Sequence, residues 1–132
     1  MIVYCDGGSR GNPGPAASGA VLVDDKSEVV ETAQEFLGTA TNNVAEYNAV
    51  ILGIGLVRKH ELTSAEFLLD SQLVVRQLNG QYKVKHPDMK AQFDKVQRLL
   101  HGLDIQFRHI PRAENHLSDT VVNQCLDAHS TK

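Results

Sequence analysis

The sequence predicts an α/β domain built on a five-stranded mixed sheet, with a three-strand antiparallel meander, two parallel strands and flanking helices. Three observations carry that expectation. Strand-favouring apolar segments separated by short polar turns fill the stretch from Ile2 to Leu37. A long segment follows in which Val50, Ile51, Ile54 and Val57 repeat at helical spacing. Beyond it, two more strand-like runs alternate with helical stretches, which returns the chain to the same sheet through a right-handed crossover. At 132 residues the chain is expected to be a single domain, 1–132, large enough for one proper core.

The first strand is the apolar run from Ile2 to Cys5, stopped by Asp6. Asp is depleted in strands, so a carboxylate closing a buried one needs a reason. Gly7, Gly8, Gly11 and Gly14, with Pro13 and Pro15, then predict a bent loop whose backbone can approach a ligand closely. A P-loop is excluded, because no Gly-Lys-Ser/Thr follows and the next segment alternates like a strand. That second strand is Ala17 to Asp25, turned by Asp24, Asp25 and Lys26 into a third from Glu28 to Leu37. Gly38 to Asn43 is a polar break offering Thr41, Asn42 and Asn43 as helix caps.

A helix is expected from Val44 to His60, with Arg58 and Lys59 suited to its C-terminal end and Glu46 in its first turn. The simple role for Glu46 there is a favourable meeting with the helix dipole. Ser64 to Asp70 is the next strand, again an apolar run closing on Asp. Ser71 to Leu78 continues as a short helix that Asn79-Gly80 ends, and a basic loop from Gln81 leads to Pro87. Pro87 opens a helix to His101, with Phe93, Val96, Leu99 and Leu100 inward. Leu103 to Ile110 alternates as the last strand, Pro111 breaks it, and a helix from Glu114 to Ala128 carries Asp119.

Hydrophobic content of 42% and charged content of 22% are those of an ordinary soluble domain. No apolar run reaches membrane-spanning length and the N-terminus has no signal-peptide pattern, so a cytoplasmic location without membrane contact is expected. Cys5 and Cys125 lie far apart in apolar settings, which predicts core thiols in a reducing compartment and excludes a Cys-based metal site. The net charge of −3 argues against a protein held to nucleic acid by bulk charge. The segment from Arg76 to His101 nevertheless carries +4 while the rest carries −7. A basic face steering a polyanion and a solvated helix face both fit that distribution.

Ligands of open α/β sheets gather beyond the carboxyl ends of parallel strands. Asp6 and Asp70 sit at two such ends, Glu46 opens the helix connecting back to the sheet, and the helix bearing Asp119 reaches the same edge. Four carboxylates around one point repel one another and call for a compensating cation. All-oxygen ligation suits Mg²⁺ or Mn²⁺, whose usual task is phosphoryl chemistry.

Four stretches, DGGSRGNPGPAA (Asp6 to Ala17), TNNVAEYNAV (Thr41 to Val50), DSQLVVRQLNG (Asp70 to Gly80) and HIPRAENHLSD (His109 to Asp119), together resemble ribonuclease H, type 1. They occur in the family's order and spacing, and the resemblance covers essentially the whole chain. It implies the ribonuclease H-like fold and an endonuclease that cuts the RNA strand of RNA/DNA hybrids, leaving 5′-phosphate and 3′-hydroxyl ends. The family's catalytic, metal-binding carboxylates carry over to Asp6, Glu46, Asp70 and Asp119, with two Mg²⁺ ions and Mn²⁺ as a substitute. Its mobile histidine falls on His109, here embedded in an alternating strand, so a proton shuttle and a structural histidine both stand. Contacts to 2′-hydroxyls and bases fall on Asn12, Asn43 and Gln72, with Thr41 and Asn42 beside the phosphate backbone. The chain departs from the family in lacking tryptophan, the basic handle and an N-terminal hybrid-binding module. Lys83, Lys85 and Lys90 are expected to substitute in part, and no obligate protein partner is implied, so a monomer is expected. A catalytically silent hybrid-binding module and a DNA nuclease or resolvase of the same fold are the alternatives.

Overall fold

The computed structural model describes residues 1–130, and the expected architecture is present. In chain order the elements are β1 (Ile2–Ser9), β2 (Gly14–Val23), β3 (Val29–Ala40), α1 (Asn42–Lys59), β4 (Ser64–Leu69), α2 (Gln72–Leu78), α3 (Pro87–Leu99), β5 (Asp104–His109) and α4 (His116–Ala128). A short 3₁₀ turn, Arg112–Glu114, precedes α4. The sheet order is β3-β2-β1-β4-β5, antiparallel across β1, β2 and β3 and parallel from β1 to β4 to β5.

Alternation along β1 divides the core. Val3 and Cys5 point to the face covered by α1, α2 and α3, where they meet Val50, Ile54, Phe67, Val74 and Val96. Tyr4 points to the opposite face, where Val21, Val23 and Val121 form a smaller cluster under α4. The helix α1 is buried along most of its length because it packs across the sheet and under α3 at once. Cys5 and Cys125 are both buried free thiols. Among the described residues, no helix is long and apolar enough to cross a membrane.

Two local expectations are corrected. Asp6 does not end its strand, because Gly7, Gly8 and Ser9 remain paired with Ser18, Ala17 and Ala16 of β2. The glycine-rich stretch is therefore mostly strand, and only residues 10–13 connect β1 to β2. The parallel pairing with β4 does stop one residue earlier, at Cys5 opposite Leu69. Asp6 is thus terminal on one side of β1 and internal on the other. Secondly, α1 starts at Asn42, capped by the Thr41 hydroxyl, which accepts from the Val44 N–H at 3.2 Å. Glu46 therefore lies beyond the first turn, and its position is no longer explained by the helix dipole.

Candidate active site

Two close approaches bring the carboxylates together. A Cβ added to Gly7 would stand 2.2 Å from the Ala45 carbonyl carbon, so glycine is what lets α1 press onto β1 beside Glu46. The Ser18 hydroxyl, buried opposite Gly7, donates to the Ala45 carbonyl at 2.7 Å and holds the helix there. On the other face, a Cβ on Gly19 would stand 2.9 Å from Val121 of α4, so the strand partner of Asp6 is also kept bare. Asp6 is consequently flanked by α1 and α4.

Asp6, Glu46 and Asp70 each place a carboxylate oxygen within 4.8 Å of the others. Asp119 lines the same cleft from α4, outside that close group. Burial pushes the Asp6 carboxyl up to about 7, helped by the charges of Asp70 and Asp119 and opposed by a hydrogen bond with Glu46. Burial likewise raises Glu46 well above the usual carboxylate range, with the charges of Asp6 and Asp70 adding to it. The Glu46 Oε2 atom is buried without a hydrogen-bond partner. Buried polar atoms are normally satisfied, so this unpartnered oxygen, on one of three closely grouped carboxylates, fits a site for a divalent cation.

The cleft above the triad has a volume of about 400 Å³ and is also lined by Ser9, Arg10, Asn42, Asn43, Ser71 and Arg112. A neighbouring groove of about 210 Å³ is lined by Asn12, Thr41, Asn43, His86 and Met89. Asn43 faces both, which makes the two one continuous surface. Two of the asparagines also tie the loops together. The Asn42 side-chain carbonyl accepts from the Ser9 N–H at 2.8 Å, and the Asn12 carbonyl accepts from the Asn42 N–H at 3.1 Å.

Gln72 is exposed at the first position of α2 and lines neither hollow, its place at the rim being taken by Ser71. His109 is exposed at the end of β5, level with Leu69, and lines neither hollow as well. Arg112, three residues on, lines the carboxylate cleft instead. Sequence reasoning passed over Arg112, His86 and Asn115. Arg112 and Asn115 lie inside the HIPRAENHLSD motif and His86 in the basic loop before Pro87, polar stretches before helices where charged and amide side chains are commonplace.

Comparisons with known proteins bear on the family and the fold. The model of a family described as reverse transcriptase-like matches residues 4–125. Bifunctional protein Rv2228c of Mycobacterium tuberculosis is 43% identical over 130 residues, which is 97% of this chain and 36% of that protein. The chain thus spans about a third of the length of the curated mycobacterial relatives it matches, 36% in each case. The structure of RNase H1 from Halobacterium salinarum superposes with a TM-score of 0.92 at 40% identity, covering 96% of this chain and 97% of that one. LC11-RNase H1, solved in complex with an RNA/DNA hybrid, gives a TM-score of 0.92 at 39% identity over 97% of both chains. Matched along almost its whole length by the family model and by two structures of one kind, the chain belongs to the ribonuclease H1 proteins of the reverse transcriptase-like family.

Proposed function

We propose that this chain is a metal-dependent endonuclease that hydrolyses the RNA strand of RNA/DNA hybrids, with Mg²⁺ as its ion. The observation that carries the reading is the close triad of Asp6, Glu46 and Asp70 with an orphaned Glu46 oxygen, at the floor of an open polar cleft. A module that merely bound a polyanion would be repelled by such a cluster.

Asp6, Glu46 and Asp70 would hold the cation side of the site, and Asp119 would complete it from α4. Divalent ions bound there would lower the pKa of the attacking water and offset charge on the departing 3′-oxygen. The proton that Asp6 retains up to about pH 7 must leave before its carboxylate can serve as a ligand, so ion binding strengthens as pH rises. Arg112 sets a cation at the rim of the same cleft, where a phosphate of the cut strand would meet it. Asn43, together with Asn12, Thr41 and Asn42, lines the path for the duplex. Amide side chains both donate and accept, which suits the 2′-hydroxyls that distinguish RNA from DNA. Gln72 and His109 stand outside both hollows, so their proposed roles, a nucleotide contact and a proton shuttle or product-release aid, need the bound duplex to reach them.

The deciding experiment supplies Mg²⁺ and strand-labelled RNA/DNA, RNA/RNA and DNA/DNA duplexes. Cleavage confined to the RNA strand of the hybrid is expected. Cutting of DNA duplex would give a DNA nuclease, and tight hybrid binding without cleavage would give a silent binding module.

A further inference from the structure

We propose that Asn115 is a positioning residue that sets the orientation of Asp70 for cation binding. Its role rests on the metal-dependent reading above. Asn115 is the residue before α4, where an asparagine ordinarily caps the helix by accepting a backbone N–H. Here its side chain makes no such bond and turns into the sheet, fully buried. The Nδ2 group donates to the Cys5 carbonyl at 2.9 Å and to the Asp70 Oδ2 at 3.0 Å. The Oδ1 atom accepts from the buried Ser118 hydroxyl at 2.7 Å, and the Asn115 backbone carbonyl takes the Asp119 N–H at 3.1 Å.

These bonds use both amide protons and the carbonyl, so the amide has one orientation. The Cys5 carbonyl lies where the parallel pairing of β1 and β4 ends, at the point where the two strands diverge toward their aspartates. Asn115 bridges the two strands there and fixes the Oδ2 oxygen of Asp70, a residue that lines the cleft. The same residue starts the helix that carries Asp119. One buried amide therefore links three elements of the site, β1, the end of β4 and α4. Groups that hold the ligands of a metal site typically change metal affinity roughly 10–100-fold when removed.

The test measures Mn²⁺ binding by calorimetry, without substrate, on the parent, Asn115→Ala, Ser118→Ala and Val96→Ala, with the melting temperature of each. Val96 is buried in α3 away from the cleft, so its truncation reports what lost packing alone does. Asn115→Ala is expected to raise the Mn²⁺ dissociation constant about tenfold or more. Ser118→Ala, which frees the amide without touching Asp70, should raise it several-fold, and Val96→Ala should melt lower with the constant unchanged. In hybrid cleavage, the Mg²⁺ requirement of Asn115→Ala and Ser118→Ala should rise while KM for the duplex moves little. Unchanged Mn²⁺ binding in Asn115→Ala overturns the proposal, as does equal weakening in Val96→Ala. If Asn115→Ala does not fold, unchanged binding in Ser118→Ala overturns it. A parent that binds Mn²⁺ without cutting hybrids sinks the nuclease reading and leaves this result standing, whereas a parent that binds no Mn²⁺ overturns both.

Discussion

Asp6 keeps its proton up to about pH 7 because it is buried beside the charges of Asp70 and Asp119. A carboxyl whose folded pKa is raised binds its proton more tightly when folded, so its contribution to stability falls as pH climbs from about 4 to about 7. Glu46 moves in the same direction, again with Asp70 among the causes. Asp70→Asn removes that charge at nearly constant shape. In chelator at pH 7 the variant should melt higher than the parent, and near pH 4 the gap should narrow, since Asp6 and Glu46 are then neutral in the folded form of both proteins and no longer feel the Asp70 charge. A variant that melts lower at pH 7 and still cuts hybrids would remove Asp70 from the site. His109 and Arg112 divide at the same scale. His109 is exposed, so His109→Ala should leave the melting temperature unchanged, and kcat should fall roughly 100-fold if the ring shuttles protons. Arg112→Ala should lower hybrid turnover by about tenfold or more, the loss expected when a charge-assisted phosphate contact goes. Parent-like kinetics for Arg112→Ala would place the phosphate elsewhere in the cleft.

Between elements, distance of approach is the controlling variable. The first strand carries Gly7 against the backbone of α1, and its neighbour carries Gly19 against Val121 of α4. Gly7→Ala puts a methyl 2.2 Å from the Ala45 carbonyl carbon, which is backbone and cannot rotate away. The helix must then lift, drawing Glu46 from Asp6. A loss of about 1–3 kcal/mol in stability is expected from the overpacking. Hybrid cleavage should fall further than the melting shift alone explains, because a misplacement of an ångström at a catalytic group is itself costly. Equal activity per folded molecule would show that α1 has slack at this contact. The elements themselves were largely legible from periodicity and turn residues. Besides the earlier start of α1, strand β1 departed from that reading, since Gly7 and Gly8 read as loop by propensity but are held in the ladder by β2.

Over the whole molecule, charge is separated by function. The acidic cluster occupies the carboxyl end of the parallel strands, while exposed Lys83, Lys85 and Lys90 stand on the loop before α3 and on α3. That loop is held to α2. Arg76 donates to the Tyr82 hydroxyl at 2.8 Å, and the Arg76 carbonyl accepts from the Gln81 N–H at 2.8 Å. A double Lys83→Ala, Lys85→Ala variant should bind hybrid more weakly, with a shallower dependence of affinity on salt. An unchanged salt slope would assign those lysines to solvent. Cation binding acts on the global equilibrium as well. Chelator should abolish cleavage with the fold intact, since the core is apolar and independent of the site. Mg²⁺ at about 100 times its dissociation constant should add about 2.7 kcal/mol to stability. Ca²⁺ should raise the melting temperature without supporting cleavage, because its looser coordination misplaces the attacking water. Cleavage persisting in chelator would end the metal-dependent reading.

The sequence by itself determined the α/β class and the order of the elements, because these rest on periodicity and turn chemistry along the chain, while the four carboxylates came from it as candidates that the resemblance of four motifs to ribonuclease H picked out. It also put Asp70 just past a strand expected to run parallel to the first, whereas Asp6, expected to end β1, stays in the ladder with β2. Only the tertiary structure decided how close the carboxylates come, with three in near contact and Asp119 beside them. The same holds for Arg112, which reaches the cleft where His109 does not, and for Asn115, whose partners lie 110 and 45 positions away along the chain. Such partners are set by the docking of α4 on the sheet and by the bare backbone at Gly7 and Gly19. Local sequence carries propensity, but the distance between side chains on separate elements is fixed only when the faces between them are packed.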